Sequence, residues 1–333
     1  MRKIPILLIC FLATLAAKAQ NDLDVLLGAG VEDAQRFAND YLAPGTNGLM
    51  YSMNSNWFNT ADAKPLGGFE ISIIANAASV KNENRSFLMN TDLYNNVQFV
   101  SGSNSQMVST VLGENNPDIN VLITDGNSGF TQQITLPSGI GSENINLIPT
   151  AFIQGAVGLV KGIEVKARFV PKIKTDDVSL SMYGAGVQFE VTKWLPADKI
   201  LPVALSGLVA YTHLDGSYNL DGSSGVDGEN QRLESATNTW LFQMIASTKL
   251  PVINFYGGLG YIKGKSKSNL LGTYRSNGII PFTYTDPFSV SSKVSGVRGT
   301  LGTKLKLGFF RLNAEYHLAE FNAFSVGVNF GFR

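Results

Sequence analysis

From Gly67 onward, apolar and polar residues alternate with a period of two. Phe69, Ile71, Ile73, Ala75 and Ala77 share one face, opposite Glu70, Ser72 and Asn76. Over 162–171, Ile163, Val165, Ala167 and Phe169 oppose Glu164, Lys166 and Arg168. Near the C-terminus, Phe324, Val326, Val328, Phe330 and Phe332 oppose Ser325, Gly327, Asn329 and Gly331. Further alternating stretches fall at 149–160, 179–192, 202–213, 238–249, 252–264, 295–308 and 309–319, which makes ten candidate strands of about 10–14 residues. Strands in soluble domains are mostly about 5–6 residues, whereas a tilted strand that crosses a bilayer needs about 9–11. The pattern predicts an all-β fold, a transmembrane antiparallel β-barrel over 67–333.

The connections sort by end. The long ones, 81–148, 214–237 and 265–294, fall on one side, with 172–178 and 320–322. The tight ones, 161, 193–201, 250–251 and 308–309, fall on the other. Outer-membrane barrels have long external loops and short periplasmic turns, so this asymmetry orients the chain. Within 81–148, Val97–Val100, Ile119–Ile123 and Phe130–Leu136 are extra strands or a folded external loop. The barrel therefore has at least ten strands, with 12 or 14 open.

Residues 20–66 carry a different period. Val31, Ala34, Phe37, Ala38, Tyr41 and Leu42 recur at helical spacing, and Pro44-Gly45 is read as the stop. The Gly/Asn-rich stretch that follows holds Met50, Met53, Trp57 and Phe58, an apolar set that water would not support alone. The expectation is a periplasmic or plugging segment that enters the barrel from the periplasmic side, where Trp57 and Phe58 narrow the lumen and meet an apolar ligand. The alternative is a cap packed beneath the barrel.

Composition fits a membrane barrel: charged residues are 16% and the apolar share is only 44%, so no oily helical bundle explains the shortage of charge. Residues 1–19 read as a cleavable signal peptide: Arg2 and Lys3, an apolar run from Ile4 to Ala17, and Ala17-Lys18-Ala19 before Gln20. That run is shorter than the roughly 20 residues of a spanning helix. Cys10 is the only cysteine and lies within it, after Ile9 rather than the small residue of a lipoprotein site. The mature chain then has no thiol for a disulfide or a metal. Loss of Arg2, Lys3 and Lys18 leaves 23 basic against 26 acidic residues (26 less 3), which argues against nucleic acid as a partner.

Chemistry-bearing motifs are few. Gly257-Gly258-Leu259-Gly260 lies within a strand and is read as barrel glycine, not a phosphate loop. Asp215, Asp221 and Asp227 fit no EF-hand spacing. His213 stands on the lipid-side register near Ser217 without a hydrolase motif. No catalytic residue, metal ligand or cofactor is assigned, and the chain is read as no enzyme. The inward set is Glu164, Lys166, Arg168, Lys249, Arg298, Lys304, Lys306, Arg311, Glu315 and His317. These side chains either fill a narrow lumen with salt bridges or line a polar conduit, and truncation of Lys166 is expected to be mild. Tyr211, Trp194, Trp240, Tyr261, Tyr316 and Phe332 suit interfacial girdles.

The ending Phe330-Gly331-Phe332-Arg333 resembles the terminal strand signal by which barrels are recognised for assembly, with Arg333 added after the aromatic residue. The stretch from Asn54 to Ala61 with Lys64-Pro65-Leu66-Gly67-Gly68-Phe69, and Tyr183-Gly184-Ala185-Gly186-Val187-Gln188-Phe189 leading to Trp194-Leu195-Pro196, resemble phrases of uncharacterised secreted proteins. They also resemble FadL-like long-chain fatty-acid transporters, whose barrels carry an N-terminal hatch. The Asn-Pro-Ala turn of that hatch is absent, and this chain is shorter. The resemblance implies transport of hydrophobic molecules. The resulting expectation is a cell outer-membrane barrel, a passive channel or a carrier of small or hydrophobic molecules. Its partners would be outer-membrane lipid, the barrel-assembly machinery and a hydrophobic ligand. The rivals are a closed structural or adhesive barrel whose external loops bind partners and, more remotely, an outer-membrane lipid hydrolase.

Overall fold

The computed structural model describes residues 27–125, 129–143, 145–196, 202–220, 227–276 and 281–332. The expected signal peptide, Asp221 and Arg333 lie outside them.

Helix α1 (Val31–Met53) comes first, then strand β1 (Phe69–Ser79). Five short strands follow: β2 (Ser86–Asn90), β3 (Val97–Phe99), β4 (Ser105–Ser109), β5 (Asn120–Thr124) and β6 (Thr131–Thr135). The chain continues with β7 (Leu147–Val160), β8 (Ile163–Lys174), β9 (Val178–Glu190), β10 (Val203–Asn219), β11 (Asp227–Thr248) and β12 (Ile253–Ser276). It ends with β13 (Phe282–Thr285), β14 (Phe288–Leu307), β15 (Phe310–Leu318) and β16 (Ala323–Phe332). Among the described residues, ten strands close one antiparallel barrel in the order β1, β7, β8, β9, β10, β11, β12, β14, β15, β16, and β16 pairs back onto β1. Ten is thus the strand number, and each of the ten sequence-read strands is one of them. The candidate strands within 81–148 instead form a folded connection, with β2 on β4 in one small sheet and β3, β5 and β6 in another.

The barrel inverts the usual distribution of polarity. Ile71, Ile73, Val187, Phe189, Val209, Phe242, Met244, Leu301 and Val326 stand exposed outside, while Glu70, Asn76, Gln154, Arg168, Gln188, Lys304 and Glu315 are buried inside. A contiguous apolar belt of this extent is unsupported in water and is what lipid requires. Trp194, Trp240, Tyr261, Tyr316 and Phe332 point outward, and Trp240 pairs with Tyr211 across β10 and β11. Among the described residues no helix is long and apolar enough to cross a membrane; the crossing is made by strands.

Two expectations change. The external loops 214–237 and 265–294 are largely strand: β10, β11, β12 and β14 run for 17, 22, 24 and 20 residues, well beyond the roughly 9–11 that a bilayer needs. Beyond the lipid the outward face of a strand meets water instead, so the alternation that lipid imposes fades. Lys263, Lys265 and Lys267 face outward against Gly264, Ser266 and Ser268, a row with no apolar face to read. The helix also does not stop at Pro44-Gly45: Pro44 lies inside α1. A mid-helix proline costs about 3 kcal/mol, so tertiary packing has to outweigh it. Gly48 shows how close that packing is, since a Cβ there would come 2.2 Å from Ile148 and 3.0 Å from Phe321.

That packing is inside the barrel. The Asp33 carboxylate, in the first turn of α1, accepts backbone N–H bonds from Asn95 and Asn96 of the long connection at 3.0 and 2.8 Å. Lower down, Gln35 donates to the Ser289 carbonyl, Ser52 Oγ lies 2.8 Å from Thr150 Oγ1, and Asn54 donates to Thr239. Leu27 packs beside Leu220, Leu270 and Tyr274, near the outer ends of β10 and β12. At the other end Gly67 N–H donates to the Gly158 carbonyl, beside the tight β7–β8 turn. The segment therefore threads the whole lumen, entering at the long-loop mouth and leaving at the short-turn mouth, rather than reaching in from below. Its 23 helical residues give α1 a length of about 35 Å, close to the roughly 30 Å of a hydrocarbon core.

Threading fixes a labelling pattern. In intact cells a membrane-impermeant maleimide should modify Glu32→Cys, at the outer end of α1, and should reach Lys161→Cys, in the β7–β8 turn, only after the outer membrane is permeabilised. The opposite pattern would reverse the orientation.

Candidate functional site

The last carbonyls of a helix lack intrahelical partners and carry the negative end of its dipole. Two arginines of the barrel wall meet them at the end of α1. Arg168 of β8 donates through Nη1 to the Met53 carbonyl at 2.7 Å and the Ser55 carbonyl at 3.2 Å. Arg298 of β14 donates to the Asn54 carbonyl at 2.9 Å. The Arg168 guanidinium also lies 3.6 Å from the ring centroid of Trp57 and 4.1 Å from that of Phe152, and it donates to Gln154 Oε1.

Aromatic side chains of the thread fit where the wall has glycine. A Cβ at Gly184 or Gly186 would come 3.2 or 3.1 Å from the Trp57 ring, and one at Gly258 would come 3.1 Å from Phe58. Phe58 also packs edge-on against Tyr256, with centroids 5.5 Å apart. Met50, Met53, Trp57 and Phe58 are all fully buried in one core with the wall. The glycine run 257–260 is therefore wall, shaped to admit a ring.

Towards the short-turn end the contacts become ionic. Glu70 accepts from Lys304 at 2.9 Å, Arg311 at 2.7 Å and Asn59 at 2.7 Å. Glu164 pairs with Lys166 at 2.7 Å and with Lys64 of the thread at 3.3 Å. Glu190 accepts from the Ala63 N–H at 2.6 Å, and Gln188 donates to the Thr60 and Ala61 carbonyls. Lys193, on the turn after β9, pairs with Asp62 and Glu190. Burial alone would lower its pKa, but these two carboxylates outweigh that and hold it above the ordinary lysine value.

Glu164, Lys166, Arg168, Arg298, Lys304, Arg311, Glu315 and His317 thus all face the lumen, and most of them touch the thread or each other. Lys306 lies apart, near the tight turns, donating to the Leu250 carbonyl, and Lys249 approaches Glu190 at 3.8 Å. Lys166 is buried against Glu164, and breaking such a pair costs about 3–5 kcal/mol, so truncation there should cost more than the mild effect expected from register. Asn59, Glu70, Gln188 and Glu190 were not among the candidates. Glu70, Gln188 and Glu190 do share the inward register of their strands, which was the signal available.

Both histidines are bonded to polar neighbours. His213 stands outside, with Nδ1 2.8 Å from Asn238 and Nε2 2.9 Å from Asp215, so neither nitrogen addresses a serine. Inside, His317 Nε2 lies 3.3 Å from Ser325 Oγ and 2.8 Å from Glu315. A serine relay needs the acid on the other nitrogen, where Thr300 and Arg298 sit instead. Among the described residues no group of three or more His, Cys, Asp or Glu side chains is placed to hold a metal ion.

Above the ionic layer, between the outer half of α1 and the inner face of β9 to β12 and β14, lies a cavity of about 200 Å³. Phe37, Tyr41, Leu42 and Leu49 of α1 form one side, and Leu214, Leu233, Leu270 and Val290 form the other. The sequence reading missed this site, since its residues lie on six separate elements, α1, β9, β10, β11, β12 and β14.

Fold and site together define a plugged transmembrane β-barrel with an apolar pocket at its outer mouth. The chain belongs to a family of unknown function, DUF6588, whose model matches residues 1–332. No curated protein sequence matches it. Among solved structures it is similar to Ail, the attachment invasion locus protein of Yersinia pestis, at 10% identity over 80% of this chain and 99% of that one, TM-score 0.26. It is also similar to the translocator domain of the autotransporter NalP from Neisseria meningitidis, at 13% identity over 82% and 90%, TM-score 0.29. The β domain of the Bordetella autotransporter Brka matches at 11% identity over 80% and 100%, TM-score 0.30. The closed strand pairing by itself defines the fold.

Arg168→Ala removes the donor to two carbonyls and the cation on Trp57. It should lower stability by about 3 kcal/mol, and the double variant with Arg298→Ala should loosen the thread. Chemical denaturation reads the first effect, and a rise in planar-bilayer conductance over wild type reads the second. Unchanged conductance in a folded double variant would mean that the arginines do not hold the thread.

Proposed function

We propose that this protein is an outer-membrane barrel that binds and carries small hydrophobic molecules, and that it is neither an open passive channel nor an enzyme. The observation that carries this reading is the apolar pocket between α1 and the wall, above a lumen occupied by the thread. A passive channel needs a water-lined path, whereas here the inward charges are spent on one another and on residues 53–64. The apolar belt, the expected signal peptide and the sorting of long and short connections support an outer-membrane location. The aromatic C-terminal strand suits recognition by the assembly machinery. The resemblance of some phrases to FadL-like transporters agrees with this reading only in the general class, hydrophobic molecules.

A second reading, an adhesive closed barrel, draws on Leu88 and Met107, which pair across β2 and β4 and stand exposed on the external connection. The two separate in cells. Uptake of a panel of radiolabelled apolar compounds should be faster in cells that carry the protein than in cells that lack it. Equal uptake by both, with surface attachment altered instead, would favour adhesion.

A further inference from the structure

We infer that the outer pocket is a site for a compact, neutral, ring-sized apolar molecule rather than a long-chain carboxylate, an assignment that rests on the carrier reading above. Its size sets the first limit. A cavity of about 150 Å³ takes one benzene molecule, so the 200 Å³ here suits roughly eight non-hydrogen atoms. A sixteen-carbon chain is about twice that.

Charge sets the second limit. The polar side chains that line the cavity are hydroxyls only, among them Thr46, Ser235, Thr237 and Ser268. These are already engaged: Thr46 donates to the Leu42 carbonyl, Ser268 to Ser235 at 2.9 Å, and Thr237 lies 2.7 Å from Ser266. No lysine, arginine or histidine is among the described lining residues, and a buried carboxylate without a partner is strongly disfavoured. The buried basic side chains Lys304, Lys166 and Arg298 sit deeper, committed to Glu70, Glu164 and the end of α1.

Shape sets the third. Phe37, Tyr41, Tyr218 and Phe288 present rings to the cavity from three elements, and ring faces and edges reward a flat partner. Access lies where the wall is lowest. β8 and β9 run for only 12 and 13 residues against 24 in β12, and Val178 and Ser179, just after the turn between β8 and β9, line the cavity. A molecule partitioned near the membrane surface would reach it over that rim.

The test uses ¹⁹F NMR on the full protein in lipid nanodiscs, with empty nanodiscs as the blank. The probe is 4-fluorotoluene and the comparator is 16-fluoropalmitate. Saturable binding of 4-fluorotoluene, with palmitate at least tenfold weaker, is the expected result. Gly216→Leu should abolish it, because a Cβ there meets only Leu180 at 3.8 Å and the longer side chain fills the cavity. Gly155→Leu, which points a side chain into open space, should bind as wild type. If Gly216→Leu does not fold, Leu233→Ala replaces it, and the widened cavity should gain at least threefold affinity for 1-fluoronaphthalene. Tighter binding of palmitate than of 4-fluorotoluene would overturn the assignment while leaving the carrier reading intact. Absence of saturable binding for either probe would overturn both.

Discussion

Arg168 and Arg298 place two cations inside a barrel, where water is scarce, and the C-terminal end of α1 answers them with carbonyls. The interaction works in both directions. The helix end would otherwise leave its last acceptors without donors, and the guanidiniums would otherwise be buried charges seeking partners. Each half makes the other tenable, so the thread and the wall are parts of one folding unit. The glycines facing Trp57 and Phe58 add shape to that electrostatic fit: the wall is hollowed where the thread is bulky.

A division of labour follows along the barrel axis. The half near the tight turns is ionic and tightly bonded, with Glu70, Glu164 and Glu190 each tied to the thread. The outer half is held by apolar contact and by hydrogen bonds at Asp33, Gln35 and Tyr41, and there the helix stands off the wall far enough to leave a cavity. Any rearrangement of the lumen belongs to the second half, because apolar contacts rearrange at lower cost than buried ion pairs. The long strands β10, β11, β12 and β14 give that half its walls, well past the lipid.

Sequence period reached the barrel and its limits show where the environment changes. The ten strands were legible because lipid on one side and a filled lumen on the other impose strict alternation, as at Ile163 to Phe169. Their outer extensions were not, because Lys263 to Ser268 meet water instead of lipid. Pro44-Gly45 misled for a similar reason: local propensity marks a stop, but the lumen around α1 supports a helix that would break in water. Of the site, the inward charges could be named from register alone, while their partners could not. Glu70 gathers Lys304, Arg311 and Asn59 from places 234, 241 and 11 residues away.

By itself, then, the sequence determined which side of each strand faces lipid, which charges point inward, and that the segment before β1 is too apolar to stand in water. Only the tertiary structure decided that this segment runs through the whole lumen, that the inward charges grip it, and that an apolar cavity remains beside its outer half. The reason is physical. Alternation is a property of one strand against its solvent, and a chain of residues records it locally. Clamp and cavity are properties of the closed cylinder and the helix within it, and they exist only once residues from distant parts of the chain share the same interior.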